Sequence, residues 1–195
     1  MRIFLLSLFL LFTSHVFAET VPVKLPGNIA LHIAKRHYEH PVRLLHPYLD
    51  VWHMKGPLAE KVALKTLPSR FANVNMCAAS KNADIVLLLE PQMFYNAQLR
   101  VFHAEIILKA FTNANEPPDL PKPIVTIKKQ AQQNGELGIK PEYYMEKAYT
   151  KAMEKVIKKL EIDKEFLAAL DKSGQNHAET LCPELDKLPV AKIYY

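Results

Sequence analysis

Serine and glycine are scarce in this 195-residue chain: beyond residue 18 the only serines are Ser69, Ser80 and Ser173, and there are five glycines in all. So thin a supply excludes a long flexible linker and favours an ordered fold over a disordered chain. No asparagine begins an Asn-x-Ser/Thr sequon, which points to a bacterial rather than a eukaryotic secretory origin. There is no Gly-x-Ser-x-Gly elbow, no phosphate-cradling glycine loop, no dinucleotide fingerprint, no Cys-x-x-Cys and no His-Glu-x-x-His. Without a recognisable nucleophile or cofactor motif, the expectation is a protein that is not an enzyme, with a hydrolase lacking any recognisable motif as an alternative. After residue 18 no apolar run is long enough to span a bilayer.

The first residues do carry a signal. Met1-Arg2 gives a basic start, Ile3 to Phe12 is free of charge, and Val16-Phe17-Ala18 precedes the first acidic residue, Glu19. Small side chains at the first and third positions before a cut suit signal peptidase, so residues 1–18 are expected to be a cleaved export signal. A membrane anchor would need roughly 18 apolar residues in a row, and Ser14-His15 breaks the run early. No cysteine lies near the cut, so a lipid anchor is not expected. The remaining 177 residues suffice for one domain with a core of its own. They are expected to be soluble and periplasmic, with secretion as the alternative. The net charge of +5 falls to +4 without Arg2, which suits an anionic envelope partner without calling for nucleic acid.

Along the chain, prolines make residues 20–27 an extended lead-in, and alternation predicts a strand over 29–34. Residues 37–53, studded with His, Pro and Tyr, read as irregular. Pro57 opens a helix over 57–67, and a strand follows over 71–78. Residues 84–90 hold the unbroken run Ile85-Val86-Leu87-Leu88-Leu89, expected to be a central strand buried on both faces. Pro91 and Tyr95-Asn96-Ala97 are read as bringing the chain round. Residues 99–112 alternate, with Phe102, Ala104, Ile106, Leu108 and Ala110 on one face, as an antiparallel strand with a wet side does. The proline-rich 113–123 is a loop and 124–131 a further strand. Pro141 opens the strongest helix, 141–160, striped by Met145, Ala148, Tyr149, Ala152, Met153, Val156, Ile157 and Leu160. A shorter helix over 163–172, capped by Asp163, precedes a loop from Gln175 onward. The expected fold is a single α+β domain over 19–174, a mainly antiparallel meander sheet with two principal helices packed on one face, followed by a tail over 175–195.

That order resembles the periplasmic and outer-membrane auxiliary lipoproteins of the YajG-like and transport-auxiliary kind. The resemblance spans 57–160 and rests on the helix ending near Leu67, on Ala83 to Leu89 leading into a hairpin, and on the return strand Ala104-Glu105-Ile106-Ile107-Leu108. The amphipathic helix over 143–160 closes it. It implies a non-enzymatic accessory role in the envelope. Glu19 stands where those proteins carry a lipid-bearing cysteine, so membrane attachment is not carried over.

Four constellations bear on function, and a cysteine pair on the fold. Histidines crowd the region from His32 to His53, and His37, His40 and His46 are the candidate ligands for zinc or copper there, an alternative reading of the protein as a metal binder. Lys147, Lys151, Lys155 and Lys159 recur every fourth residue, a ridge suited to an envelope protein or anionic component, against the plainer reading of a solvated helix face. Glu90 and Glu105 would resemble an acid/base pair if neighbouring strands carry them, although carboxylates on a wet sheet face are usually solubilising. Tyr38, Tyr48, Trp52, Phe94 and Tyr95 would line a ligand groove or else edge the core. Finally, Cys77 and Cys182 are the only two cysteines; in an oxidising compartment they are expected to form a disulfide that tethers the tail.

Overall fold

The structure, a computed structural model, describes residues 24–80, 82–112, 122–172 and 176–188. The expected export signal over 1–18 and most of the 113–123 loop lie outside the described residues. Five strands form the main sheet: β1 (Leu25–His32), β4 (Phe71–Met76), β6 (Ile85–Asn96), β7 (Val101–Phe111) and β8 (Val125–Asn134), in the order β4-β1-β6-β7-β8. β6, β7 and β8 are the antiparallel meander that the alternation predicts. β1 is inserted between β4 and β6 and runs parallel to both, so the sheet as a whole is mixed. Helices α2 (Lys55–Thr66) and α3 (Pro141–Leu160) cover one face, joined by α4 (Lys164–Asp171), with the Asp163 side chain accepting from the Phe166 N–H at 3.2 Å as its cap. The expected α+β domain with helices packed on the sheet is what forms.

Among the boundaries that differ from the sequence reading, two have a clear local reason. β1 starts at Leu25, four residues early, because Gly27 takes a φ of 116° at a register shift and lets the chain enter the ladder past Pro26. A Cβ at Gly27 would also meet the Leu170 side chain at 2.8 Å. β6 runs straight through Pro91 to Asn96 instead of turning there. The pairing of β1 with β6 ends at His32↔Leu88, so Pro91 sits where that neighbour has already left, and its missing N–H breaks no bond on that side.

The strand read over 29–34 ends at His32, and the space it vacates is taken by residues 33–54, of which 37–53 are read from sequence as irregular. They form a helical turn α1 (Arg36–Glu39) and a small hairpin, β2 (Val42–Leu44) with β3 (Val51–His53). Short elements of three or four residues leave no periodicity to detect.

The largest correction concerns the tail. Instead of a loop from Gln175, two-residue strands β5 (Asn82–Ala83) and β9 (Asn176–His177) pair, and helix α5 (Ala178–Asp186) follows. Pro183 lies inside α5 and obscures its apolar stripe, Ala178, Leu181, Cys182 and Leu185. That stripe closes a second core with Ala30, Val86, Leu88 and Phe111 on the face opposite α3. β6 is therefore covered on both sides, as its unbroken apolar run requires: Leu87 and Leu89 face α2 and α3, while Val86 and Leu88 face α5. The Cys77–Cys182 disulfide forms across this second core, with Cα atoms 6.3 Å apart and a sequence separation of 105. A closed loop of that length removes about 4–5 kcal/mol of chain entropy from the unfolded state.

Candidate functional site

α5 covers only one half of the second sheet face. The other half carries Glu90, Gln92 and Phe94 of β6 beside Ile107, Glu105 and His103 of β7. Glu90 is 2 % exposed, and cations from three different elements reach this spot. Lys109 Nζ lies 3.0 Å from its carboxylate, Arg36 Nη2 of α1 lies 4.0 Å away, and buried Lys55, at the start of α2, donates to Gln92 Oε1 at 3.1 Å. Burial, and then the Arg36 charge, hold Lys55 below the usual ammonium range, with Glu90 pulling the other way. Glu105 is held separately by Lys128 at 2.9 Å and by the Gln130 side chain. The two carboxylates share a sheet face, but each is bound by cations of its own and they are not an isolated pair. An open groove of about 680 Å³ continues from Gln92 past Phe94, His103 and Glu105 to Gln130 and Gln132.

The candidate metal histidines are dispersed. His37 is buried beside the cation cluster, and burial followed by the Lys55 and Arg36 charges pushes its pKa down to about 3. His40 is exposed at the end of α1. His46 is half-buried, and its Nδ1 accepts from the backbone N–H groups of Tyr48 and Leu49, both at 3.1 Å, fixing the loop between β2 and β3. His53 is buried near the Tyr149 ring, with its pKa lowered to about 4 by burial and then by Lys55. Both buried imidazoles are thus neutral at neutral pH. His37, His40 and His46 do not form a ligand set; among the described residues, the group with ligand atoms within 4.8 Å of one another is His32, Cys77 and Cys182.

The lysine ridge on α3 lies alongside an edge strand. Among the described residues, β8 pairs with β7 on one side and with no strand on the other. Lys155 Nζ donates to the Gln130 carbonyl at 2.9 Å, and Lys151 Nζ reaches the Gln132 carbonyl at 3.5 Å and the Gln133 side chain at 2.8 Å. Lys147 sits over the Tyr143 ring, 4.4 Å from its centroid. Lys159 is exposed in the last turn. Half of the ridge is therefore spent in capping strand carbonyls, which protects an edge from pairing with another chain.

A feature not anticipated as a unit is an apolar tip. Among the described residues, nine large hydrophobic side chains are exposed, and six belong to two segments: Leu45, Tyr48, Trp52 and Met54 around the β2–β3 hairpin, Ile139 and Tyr143 at the start of α3. The segments meet, for Gly138 lies against Leu49, and a groove between them is lined by Trp52, Met54, Pro57, Pro141 and Met145. Tyr48, in the loop between β2 and β3, is 91 % exposed. Arg43, opposite Trp52 in the hairpin, pairs with Asp50 at 2.8 Å on the rim. The sequence signal for it is the pair Tyr48 and Trp52 among the aromatics singled out above; what joins them to residues 139–143 is tertiary.

No protein-family model matches the chain, and no curated protein matches it. The site therefore stands on its own geometry. No helix among the described residues is long and apolar enough to cross a membrane.

Proposed function

We propose that this chain is an exported, non-enzymatic accessory protein of the bacterial envelope, and that its apolar tip docks onto another envelope protein. The observation that carries the reading is the gathering of six of the nine exposed large hydrophobic side chains on two adjoining segments. Scattered surface apolar residues are ordinary; a contiguous group rimmed by polar side chains marks an interaction surface. Its composition favours a protein partner: Trp, Tyr and Met with a rim Arg are types enriched at protein interfaces, and the charged Lys61 and Glu142 border the groove. The resemblance to envelope auxiliary lipoproteins supports the same role, and the export signal supports the same compartment.

Photo-crosslinking in intact cells tests this. A photoreactive residue at Trp52 or Tyr143 should give a discrete adduct with an envelope protein. The same probe at Ile162, exposed but outside the tip, should give none, and a Leu45→Ala/Tyr48→Ala background should abolish the adduct while leaving the melting temperature near that of the parent. Indistinguishable adducts at positions 52 and 162 would end the proposal. Binding of the tip to protein-free vesicles, lost in the same double variant, would assign it to lipid instead.

A further inference from the structure

Where α5 docks, four metal-ligating side chains converge from three parts of the chain. His32 ends β1, Cys77 follows β4, and Cys182 and Asp186 lie one helical turn apart on α5. One ring nitrogen of His32 and both cysteine sulfurs fall within 4.8 Å of one another. Asp186 Oδ1 lies 3.1 Å from His32 Nε2 and also accepts the Lys35 backbone N–H at 3.2 Å, so the carboxylate is itself held in place. Both cysteines are buried and the His32 side chain is 12 % exposed, which leaves the cluster shielded but reachable.

We infer that Cys77, Cys182 and His32 form a zinc site whenever the disulfide is reduced, with Asp186 as the residue that positions His32. The oxidised pair cannot serve, because each sulfur spends its bonding electrons on the other. A dithiol reductant converts the disulfide to two thiols and is itself closed to a cyclic disulfide, so two electrons and two protons pass to the protein. Zn²⁺ then binds both sulfurs as thiolates and releases the two protons. Two thiolates and an imidazole are donors that zinc favours, with a fourth position open to water or to a carboxylate. If His32 donates Nε2–H to Asp186, the other ring nitrogen keeps its lone pair for the metal, the carboxylate–histidine–metal relation common to such sites. The site is independent of the apolar tip and of the dispersed His37, His40 and His46. It would replace one covalent tether of α5 by a metal tether at the same place.

The test uses the full mature chain in oxidised and dithiol-reduced forms, titrated with Co²⁺ as a spectroscopic probe and with Zn²⁺. Reduced protein should bind one equivalent of Co²⁺ with thiolate-to-metal charge-transfer absorption and tetrahedral visible bands, both bleached by Zn²⁺; oxidised protein should show neither. Asp186→Asn should weaken Zn²⁺ binding by about 10- to 100-fold, and His32→Ala by at least as much. Because reduction or substitution can loosen the fold, thermal melts of each reduced protein with and without Zn²⁺ provide a second measure. Zn²⁺ should raise the wild-type midpoint and leave those of His32→Ala and Cys77→Ser/Cys182→Ser unmoved. Wild-type affinity no better than that of the double serine variant, or unchanged in His32→Ala, overturns the inference. So does a reduced chain that Zn²⁺ fails to stabilise.

Discussion

At the scale of single residues, several buried polar atoms lack protein partners, and each has an energetic consequence. The Tyr149 hydroxyl is fully buried in the main core and has no hydrogen-bond partner among the described residues. An unsatisfied buried hydroxyl costs about 1–3 kcal/mol. Tyr149→Phe should therefore leave stability unchanged or raise it by about 1 kcal/mol, as read from urea unfolding; a clear loss would show that the hydroxyl has a role in the core. His37 and His53 set a pH dependence. Their folded pKa values, about 3 and about 4, lie below the ordinary 6.5, so between those limits the unfolded chain takes up protons that the folded chain does not. Stability is then fully present above pH 6.5 and declines as the pH falls toward 4, by up to about 1.4 kcal/mol per pH unit for each histidine. Urea midpoints between pH 7 and pH 5, above most carboxylate titration, should fall accordingly, and His53→Gln should roughly halve the slope. A flat profile in the parent would remove the prediction.

At the scale of elements, the helix α3 does two jobs with two faces. Its apolar stripe, legible from Met145 to Leu160, fills the core as periodicity indicates. Its lysines were legible as a ridge, yet their position over the open side of β8 was not, because the pairing order of strands is not written in any one segment. Exposed lysine contacts contribute little stability, about 1 kcal/mol or less. Replacing both edge-capping lysines, Lys151→Ala/Lys155→Ala, should thus barely shift the melting temperature but should speed aggregation, followed by light scattering. Lys151→Arg/Lys155→Arg should behave like the parent. An unaltered aggregation rate in the alanine pair would mean that the edge is guarded by something else. α5 shows the opposite case: its stripe of Ala178, Leu181, Cys182 and Leu185 has helical spacing, but Pro183 within nine residues reads as a break. Burial of the stripe against Val86, Leu88 and Phe111, together with the disulfide, outweighs the lost backbone bond.

At the scale of the whole molecule, export and the disulfide bear on one another. The Val16-Phe17-Ala18 ending predicts that protein recovered from the envelope fraction begins at Glu19, and intact-mass measurement decides it. A chain retaining residues 1–18 would contradict the reading of that segment as a cleaved export signal. The mass should also be two hydrogens below that of the dithiol form if the bridge is made before isolation.

The sequence alone determined the features that repeat along the chain. The alternation of β7, the unbroken apolar run of β6 and the stripe of α3 each bury a fixed face, whatever lies opposite, so they can be read residue by residue. The two cysteines, having no other candidates, could pair only with each other within one chain. Tertiary structure decided what depends on neighbours distant in sequence. The departure of β1 at His32 leaves a position for Pro91 within a strand, and the vacated space is filled by segments too short to show a period. The same departure lets Arg36 and Lys55 reach β6 beside the buried Glu90. Contact between the hairpin and residues 138–143 turns separate aromatics into one surface. The folding of α5 onto the far face brings His32 and Asp186 to the cysteines, a convergence across 154 residues that no local pattern encodes.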